Sequence, residues 1–160
     1  MAGMAVVDGV RRATGLDTMI KWPNDAVING KKICGILTEM YPSADGSFFL
    51  VIGTGINVNQ KEFPEEIADK ATSLFIESGR HWKRDEEKHT EERPEDVRDA
   101  VRDDILRAFA VRYEQFLQTA DLSLMKEDYI SHLISRCGFL TRRESSEASH
   151  WGLTIMDSFW

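Results

Sequence analysis

Ala26-Val27-Ile28-Asn29-Gly30-Lys31-Lys32-Ile33-Cys34-Gly35-Ile36-Leu37 is the stretch that decides the fold. Asn and Gly both tolerate positive φ, so an Asn-Gly pair between two apolar runs is the strongest short signal for a two-residue β-hairpin. Ala26–Ile28 is then one strand and 31–41 the returning one. Outward from the hairpin, Thr18-Met19-Ile20-Lys21-Trp22 is a β-prone run stopped by Pro23, with Asn24-Asp25 in a turn. Ala44-Asp45-Gly46 makes a further turn. Phe48-Phe49-Leu50-Val51-Ile52 is a continuous apolar run that reads as a buried strand, leading into Gly53-Thr54-Gly55-Ile56-Asn57. Short turns join these strands, so the sheet is mostly antiparallel.

Helical signals flank the sheet. Residues 4–13 predict a short helix capped at its C-terminus by Gly15. Ala71–Phe75 reads as one helical turn, and 126–133 as a short helix. Pro94-Glu95-Asp96 reads as a helix start, and Val97, Val101, Ile105, Phe109, Tyr113 and Phe116 recur at helical spacing, a stripe expected to pack on the sheet. Between these parts, 80–93 is almost all polar and reads as a solvated stretch. The fold class is therefore α+β, a mostly antiparallel sheet with packing helices. Residues 1–135 form one domain, and 136–160 form a tail without clear periodicity.

Composition narrows the function. The 160 residues carry a formal net charge of −7, which argues against nucleic-acid backbone as a general partner. No apolar run approaches the roughly 18 residues of a transmembrane helix. The two cysteines, Cys34 and Cys137, form no CxxC pair and read as reduced thiols, in keeping with a cytoplasmic location. His81, His89, His132 and His150 lack metal-ligand spacing and read as solvated or packed side chains.

The residues with chemistry to offer lie in three segments. Lys21 and Lys32 flank the hairpin and can neutralise phosphate or carboxylate oxygens. Asn24 and Asp25 lie between them, and a carboxylate there can hold Mg²⁺ or orient a lysine. Gly53 and Gly55 allow a ligand close to the backbone, and Asn57 offers an amide at the same edge. Taken singly, each has a plainer reading: exposed hairpin charges, a bulge, a turn, and for Trp22 and Pro23 simple packing. Neither a phosphate loop nor a dinucleotide fingerprint is present, since the Gly-Lys-Ser/Thr ending and the third glycine are both missing. Physical reading alone reaches an anionic ligand at the edge of a small sheet.

In order and spacing, Lys21-Trp22-Pro23-Asn24-Asp25, then 30–39 (GKKICGILTE), then 51–59 (VIGTGINVN) resemble the biotin protein ligase family. Phe63-Pro64 and 71–74 also fit its pattern. The resemblance covers residues 1 to 75 well and 95 to 135 weakly. It implies a two-step ligase that uses Mg-ATP to activate biotin as biotinyl-5′-adenylate and then transfers it to a lysine of a biotin carboxyl carrier protein. It implies that Lys32 is the catalytic lysine between the biotin carboxylate and the α-phosphate, and Lys21 a second phosphate-side lysine. Asn24 and Asp25 fall near the phosphates and metal, Gly35, Gly53 and Gly55 line the cleft, and Asn57 falls on the nucleotide side.

The family's glycine- and arginine-rich loop has no counterpart in the 20 residues before Lys21, and its small C-terminal domain has none in 142–160. The resemblance therefore points to the central part of a ligase. The alternative expectation is a non-catalytic module that binds a carrier domain or another ligase chain. Homodimerisation through a sheet edge is a further expectation. A lipoate-type ligase is disfavoured by Lys-Trp-Pro-Asn-Asp.

Overall fold

The structure is a computed structural model, and it describes residues 1–82 and 98–134. The elements run α1 (Ala2–Thr14), β1 (Thr18–Lys21), β2 (Asp25–Ile28), β3 (Lys31–Pro42), β4 (Phe48–Ile56), α2 (Leu74–Ser78), α3 (Arg98–Thr119), a 3-10 turn at Ser123–Met125, and α4 (Lys126–His132). The strands form one sheet in the order β1-β2-β3-β4, with every neighbouring pair antiparallel. The α+β reading holds. No helix among the described residues is long and apolar enough to cross a membrane.

Local chemistry sets the boundaries. Gly15 ends α1 in the left-handed conformation (φ 74°), and its N–H donates to the Arg11 carbonyl at 2.8 Å. Asn29 (φ 52°) and Gly30 (φ 79°) both take positive φ, which lets two residues reverse β2 into β3. Ser73 caps α2, its hydroxyl accepting from the Ile76 N–H at 3.1 Å.

The register explains which side chains are buried. Ile20, Ala26, Cys34 and Ile56 stand opposite one another across the four strands. Residues opposite across a ladder share a face. This row, with Ile28, Ile33 and Ile36, joins Met4, Val6, Val7 and Val10 of α1 in the core. Cys34 is buried and forms no disulfide within the described residues; Cys137 lies outside them.

Four expectations need correction. The stripe on α3 does not lie flat on the sheet. α3 packs chiefly on α1, which already covers that face. A Cβ on Gly9 would come within 2.4 Å of the Ile105 side chain and 2.6 Å of its Cα, so the two backbones are nearly in contact there. Val101 and Ile105 are buried, but Tyr113 is exposed. Steps of four residues drift by about 40° around a helix, and three such steps carry the stripe off the contact. Pro94-Glu95-Asp96 and Val97 lie outside the described residues.

The second correction is the apolar run of β4. Phe48, Leu50 and Val51 are 64%, 60% and 46% exposed. Strand β2 pairs with β3 only as far as Gly35, whereas β3 and β4 continue together to Pro42 opposite Phe48. The far half is thus a two-stranded ribbon that no described helix covers. Third, Trp82, within the stretch read as solvated, is fully buried. Asn59 clamps its backbone in both directions: the Trp82 N–H donates to Asn59 Oδ1 at 2.8 Å, and Asn59 Nδ2 donates to the Trp82 carbonyl at 2.5 Å. The Arg80 guanidinium lies over its ring at 5.4 Å. Fourth, Trp22 does not pack in the core; it is 45% exposed in the turn after β1, and the Trp22–Pro23 peptide is cis.

Candidate functional site

One face of the sheet carries α1; the other presents the polar residues. Lys21, Asp25, Gly35 and Gly55 stand opposite one another across all four strands, in the row next to the buried one. Leu37 and Gly53, opposed two residues farther on, share that outer face.

Lys32 joins this face through a break in the ladder. Val27 stands opposite Lys32 and Ala26 opposite Cys34, so Ile33 is an extra residue on β3, a β-bulge. In a regular strand, residues 32 and 35 point to opposite faces. With the bulge, Ile33 and Cys34 are both buried and Lys32 turns outward over Gly35. Lys32 Nζ lies 2.6 Å from Asp25 Oδ1. That approach lacks hydrogen-bonding angles, so the pairing is chiefly Coulombic. A Cβ on Gly35 would meet Lys32 Nζ at 3.2 Å and Cε at 3.3 Å, so the missing side chain is what lets the ammonium settle there. At Gly53 and Gly55 the nearest atom to an added Cβ is 4.0 Å away. Packing within the described residues therefore does not demand glycine at either, whereas a ligand approaching the backbone would.

Asn24 closes one end. Its Nδ2 donates to the Ile36 carbonyl at 3.1 Å, and its own carbonyl accepts from the Ile36 N–H at 2.8 Å. Asn24, Gly35, Ile36, Leu37, Gly53, Thr54 and Gly55 line an open concavity. Asn57 lies just past β4 and its side chain is engaged, Nδ2 donating to the Thr72 carbonyl at 3.1 Å. The structure therefore brings Lys21, Lys32, Asp25, Gly35, Gly53 and Gly55 onto one face, puts Asn24 at its rim, and ties Asn57 to the neighbouring loop.

Cys34 lies beneath the site. Burial pushes its thiol up to about 12, against the opposing charge of Lys32, so it remains a neutral packing group. For a divalent cation, Asp25 is the one carboxylate in the site row, and no cluster of three or more His, Cys, Asp or Glu able to hold a metal occurs among the described residues. Mg²⁺ commonly uses one or two carboxylates plus substrate phosphates, so this donor set fits an ion delivered with a nucleotide.

Sequence reading missed two polar networks. In one, Arg112 of α3 donates through Nη1 to Asp128 at 2.5 Å and through Nη2 to Asp8, and His132 Nε2 lies 2.7 Å from Asp8 Oδ1. Burial opposes the charge on Asp8, but its hydrogen bonds with His132 and Arg112 outweigh that and hold its carboxyl below the usual carboxylate range. The cluster ties α1, α3 and α4 together. Just past it, the Ile134 N–H donates to the Ile20 carbonyl at 2.9 Å, securing the outer edge of β1 next to Lys21. Its members are up to 124 positions apart, and no local pattern signals them. In the other network, Glu77 accepts from Asn29 Nδ2 at 2.8 Å and from the Thr72 hydroxyl at 2.6 Å.

Comparison with known proteins agrees with this arrangement. Residues 1–57 match the model of the biotin/lipoate A/B protein ligase family. The chain is 54% identical over 81 residues to the bifunctional ligase/repressor BirA of Bacillus spizizenii, covering 49% of this chain and 25% of that protein. It is 42% identical over 77 residues to the biotin–[acetyl-CoA-carboxylase] ligase of Mycobacterium tuberculosis, covering 46% and 26%. Among solved structures, the biotin protein ligase of Aquifex aeolicus in complex with biotin and ATP superposes with a TM-score of 0.64 at 29% identity, covering 83% of this chain and 49% of that one. The chain thus spans about a quarter of the length of the sequence relatives it matches. The motifs, the antiparallel sheet and these matches agree, and over its first half the chain is similar to the biotin protein ligases.

Proposed function

We propose that this chain supplies the central part of a biotin protein ligase site, acting in the cytoplasm. There it joins biotin to ATP as biotinyl-5′-adenylate and passes the biotinyl group to a carrier-protein lysine. The observation that carries this reading is Lys32, turned by the bulge onto the Lys21–Asp25–Gly35–Gly55 row with its ammonium beside Asp25. In the first step a biotin carboxylate oxygen attacks the α-phosphorus of ATP and pyrophosphate leaves. In the second, the amine of a biotin carboxyl carrier protein lysine attacks the acyl carbon, AMP leaves and an amide remains. Both steps place negative charge around the α-phosphate, where fixed cations act.

Lys32 is suited to that task. Its side chain is 47% exposed, and a pair at such a site is worth no more than about 1 kcal/mol. A phosphate oxygen can therefore draw the ammonium away from Asp25 at little cost, while Asp25 keeps it aimed when the site is empty. Lys21, in the same row, adds a second positive charge, and the glycines let the ligand lie against the backbone. Asn24 holds the rim, and Asn57 supports the nucleotide end through the loop it fastens. Mg²⁺ would arrive with ATP, partly held by Asp25, and would supply charge neutralisation at the phosphates.

Biotin-dependent pyrophosphate release from Mg-ATP, compared between the chain and its Lys32→Ala variant, tests the proposal. The expected outcome is a loss of about a hundredfold or more in rate with thermal stability unchanged. Equal release from both would remove Lys32 from the mechanism. The bare β3–β4 ribbon supports a second reading, a non-catalytic module that binds a carrier domain or a second ligase chain, since a long apolar edge is a pairing surface. No release from folded wild type would favour that reading.

A further inference from the structure

Lys32 pairs with Val27 of β2 on one side, but no strand lies along its other side. β4 pairs with β3 only as far as Ile56 opposite Cys34, and the Asn57 N–H makes the last bond on that side, to the Ile33 carbonyl at 2.7 Å. The outer edge of Lys32 would be bare but for the 70–72 segment. The Lys32 N–H donates to the Lys70 carbonyl at 2.8 Å, and the Thr72 N–H donates to the Lys32 carbonyl at 2.9 Å. This is a one-residue parallel bridge centred on Ala71. One bridge is a weak hold, so what fixes the segment also fixes Lys32.

Thr72 is fully buried, and its hydroxyl donates to Glu77 Oε1 at 2.6 Å. The other oxygen of Glu77 accepts from Asn29 Nδ2 at 2.8 Å, in the turn of the β2–β3 hairpin. Glu77 thus joins both sides of Lys32: the turn three residues before it and the segment bonded to its backbone. Ser73 keeps α2, and so Glu77, in place by capping the helix and donating to the Gln60 carbonyl at 2.6 Å.

We propose that Thr72 and Glu77 are positioning residues for Lys32, holding the bulge in the one conformation that presents its ammonium over Gly35 beside Asp25. The proposal rests on the ligase reading for the role of Lys32 and on geometry alone for the link itself. Neither residue touches the outer face. They act through the Lys32 backbone and the hairpin turn.

The test uses the whole chain with Thr72→Val, Thr72→Ser, Glu77→Ala and Glu77→Gln variants. Thr72→Val keeps the shape and removes the hydroxyl; Thr72→Ser restores it. The first readout does not need turnover: hydrogen exchange at the Lys32 amide and the labelling rate of the Lys32 amine, each taken relative to Ile20 and Lys21 in the same sample. The expected result is exchange at Lys32 faster by about tenfold in Thr72→Val and Glu77→Ala, with wild-type behaviour in Thr72→Ser and an intermediate value in Glu77→Gln. Unchanged exchange and labelling at Lys32 in a folded Thr72→Val chain would overturn the proposal. So would loss at Lys32 matched by equal loss at Ile20, since that is general destabilisation. The second readout is pyrophosphate release: kcat falls about tenfold in Thr72→Val with KM for ATP within about twofold, because a displaced catalytic group costs rate more than binding. A kcat equal to wild type alongside a loosened Lys32 would also overturn it. Wild type without turnover would sink the ligase reading, and the exchange data would then decide the link by themselves.

Discussion

The two halves of the sheet contrast sharply. In the near half, β1, β2 and the start of β3 are locked: the Ile20–Ala26–Cys34–Ile56 row lies under α1, α3 lies on α1, and the Asp8–Arg112–His132–Asp128 cluster fastens α4 behind them. In the far half, β3 beyond Leu37 and β4 before Gly53 form a ribbon whose β4 strand, Phe48-Phe49-Leu50-Val51-Ile52, is as apolar in sequence as the core strands, yet open to solvent. Strand propensity and backbone pairing are alike in both. The difference lies in what is laid on top, so an apolar run reports the capacity for burial and not its occurrence. The site row sits where the halves meet, rigid enough to aim Lys32 and open enough to admit a ligand.

The comparison can be broken most forcefully at Gly9. Alanine there adds the favourable helix propensity of about 1 kcal/mol but drives a methyl into the backbone of Ile105. The clash should win, and chemical denaturation should show a net loss of about 3 kcal/mol; a neutral or stabilised Gly9→Ala would mean that α1 and α3 are not locked. A smaller effect is expected at Asp8. Asp8→Asn leaves Arg112 with one carboxylate in a largely buried setting, for a loss of about 2 kcal/mol at neutral pH. The pH dependence has a definite sign. Because the folded-state carboxyl titrates below its ordinary value, its contribution is complete above that value and is lost as pH falls through the lowered one. Wild type should therefore lose stability on acidification below about pH 4, and the loss should be shallower in Asp8→Asn. Melting curves from pH 2 to 7 on both chains would settle it. The smallest effect belongs to the ribbon. Leu50→Ser should change stability by less than about 0.5 kcal/mol while lowering any self-association seen by light scattering. A loss above 1 kcal/mol would show that the ribbon is covered and that the contrast is wrong.

Much of this was legible in the residues because it is local. Asn29-Gly30 specified a turn through its own φ preferences, Gly15 a helix end, and the short connections an antiparallel sheet. The spacing of Lys21, Lys32, Gly53 and Gly55 also pointed to an anionic ligand. Other features were illegible for identifiable reasons. Trp82 lies in a stretch whose composition is polar, and only the Asn59 clamp reveals it as core. Arg112 sits within an apolar-looking stripe and becomes a buried anchor only because Asp8 and Asp128 arrive from other helices.

Residue types alone set the chemistry on offer: two lysines, a carboxylate, bare glycines and a tight hairpin, in an order that resembles the biotin protein ligases. That Lys32 faces Gly35 and Asp25 follows from strand pairing and not from residue type. Alternation along β3 would have placed residues 32 and 35 on opposite faces, and the inserted Ile33, next to a Lys32 backbone bridged to the 70–72 segment, reverses that. A side chain's type is written in one residue, whereas the face it takes depends on the ladder partners that other parts of the chain supply.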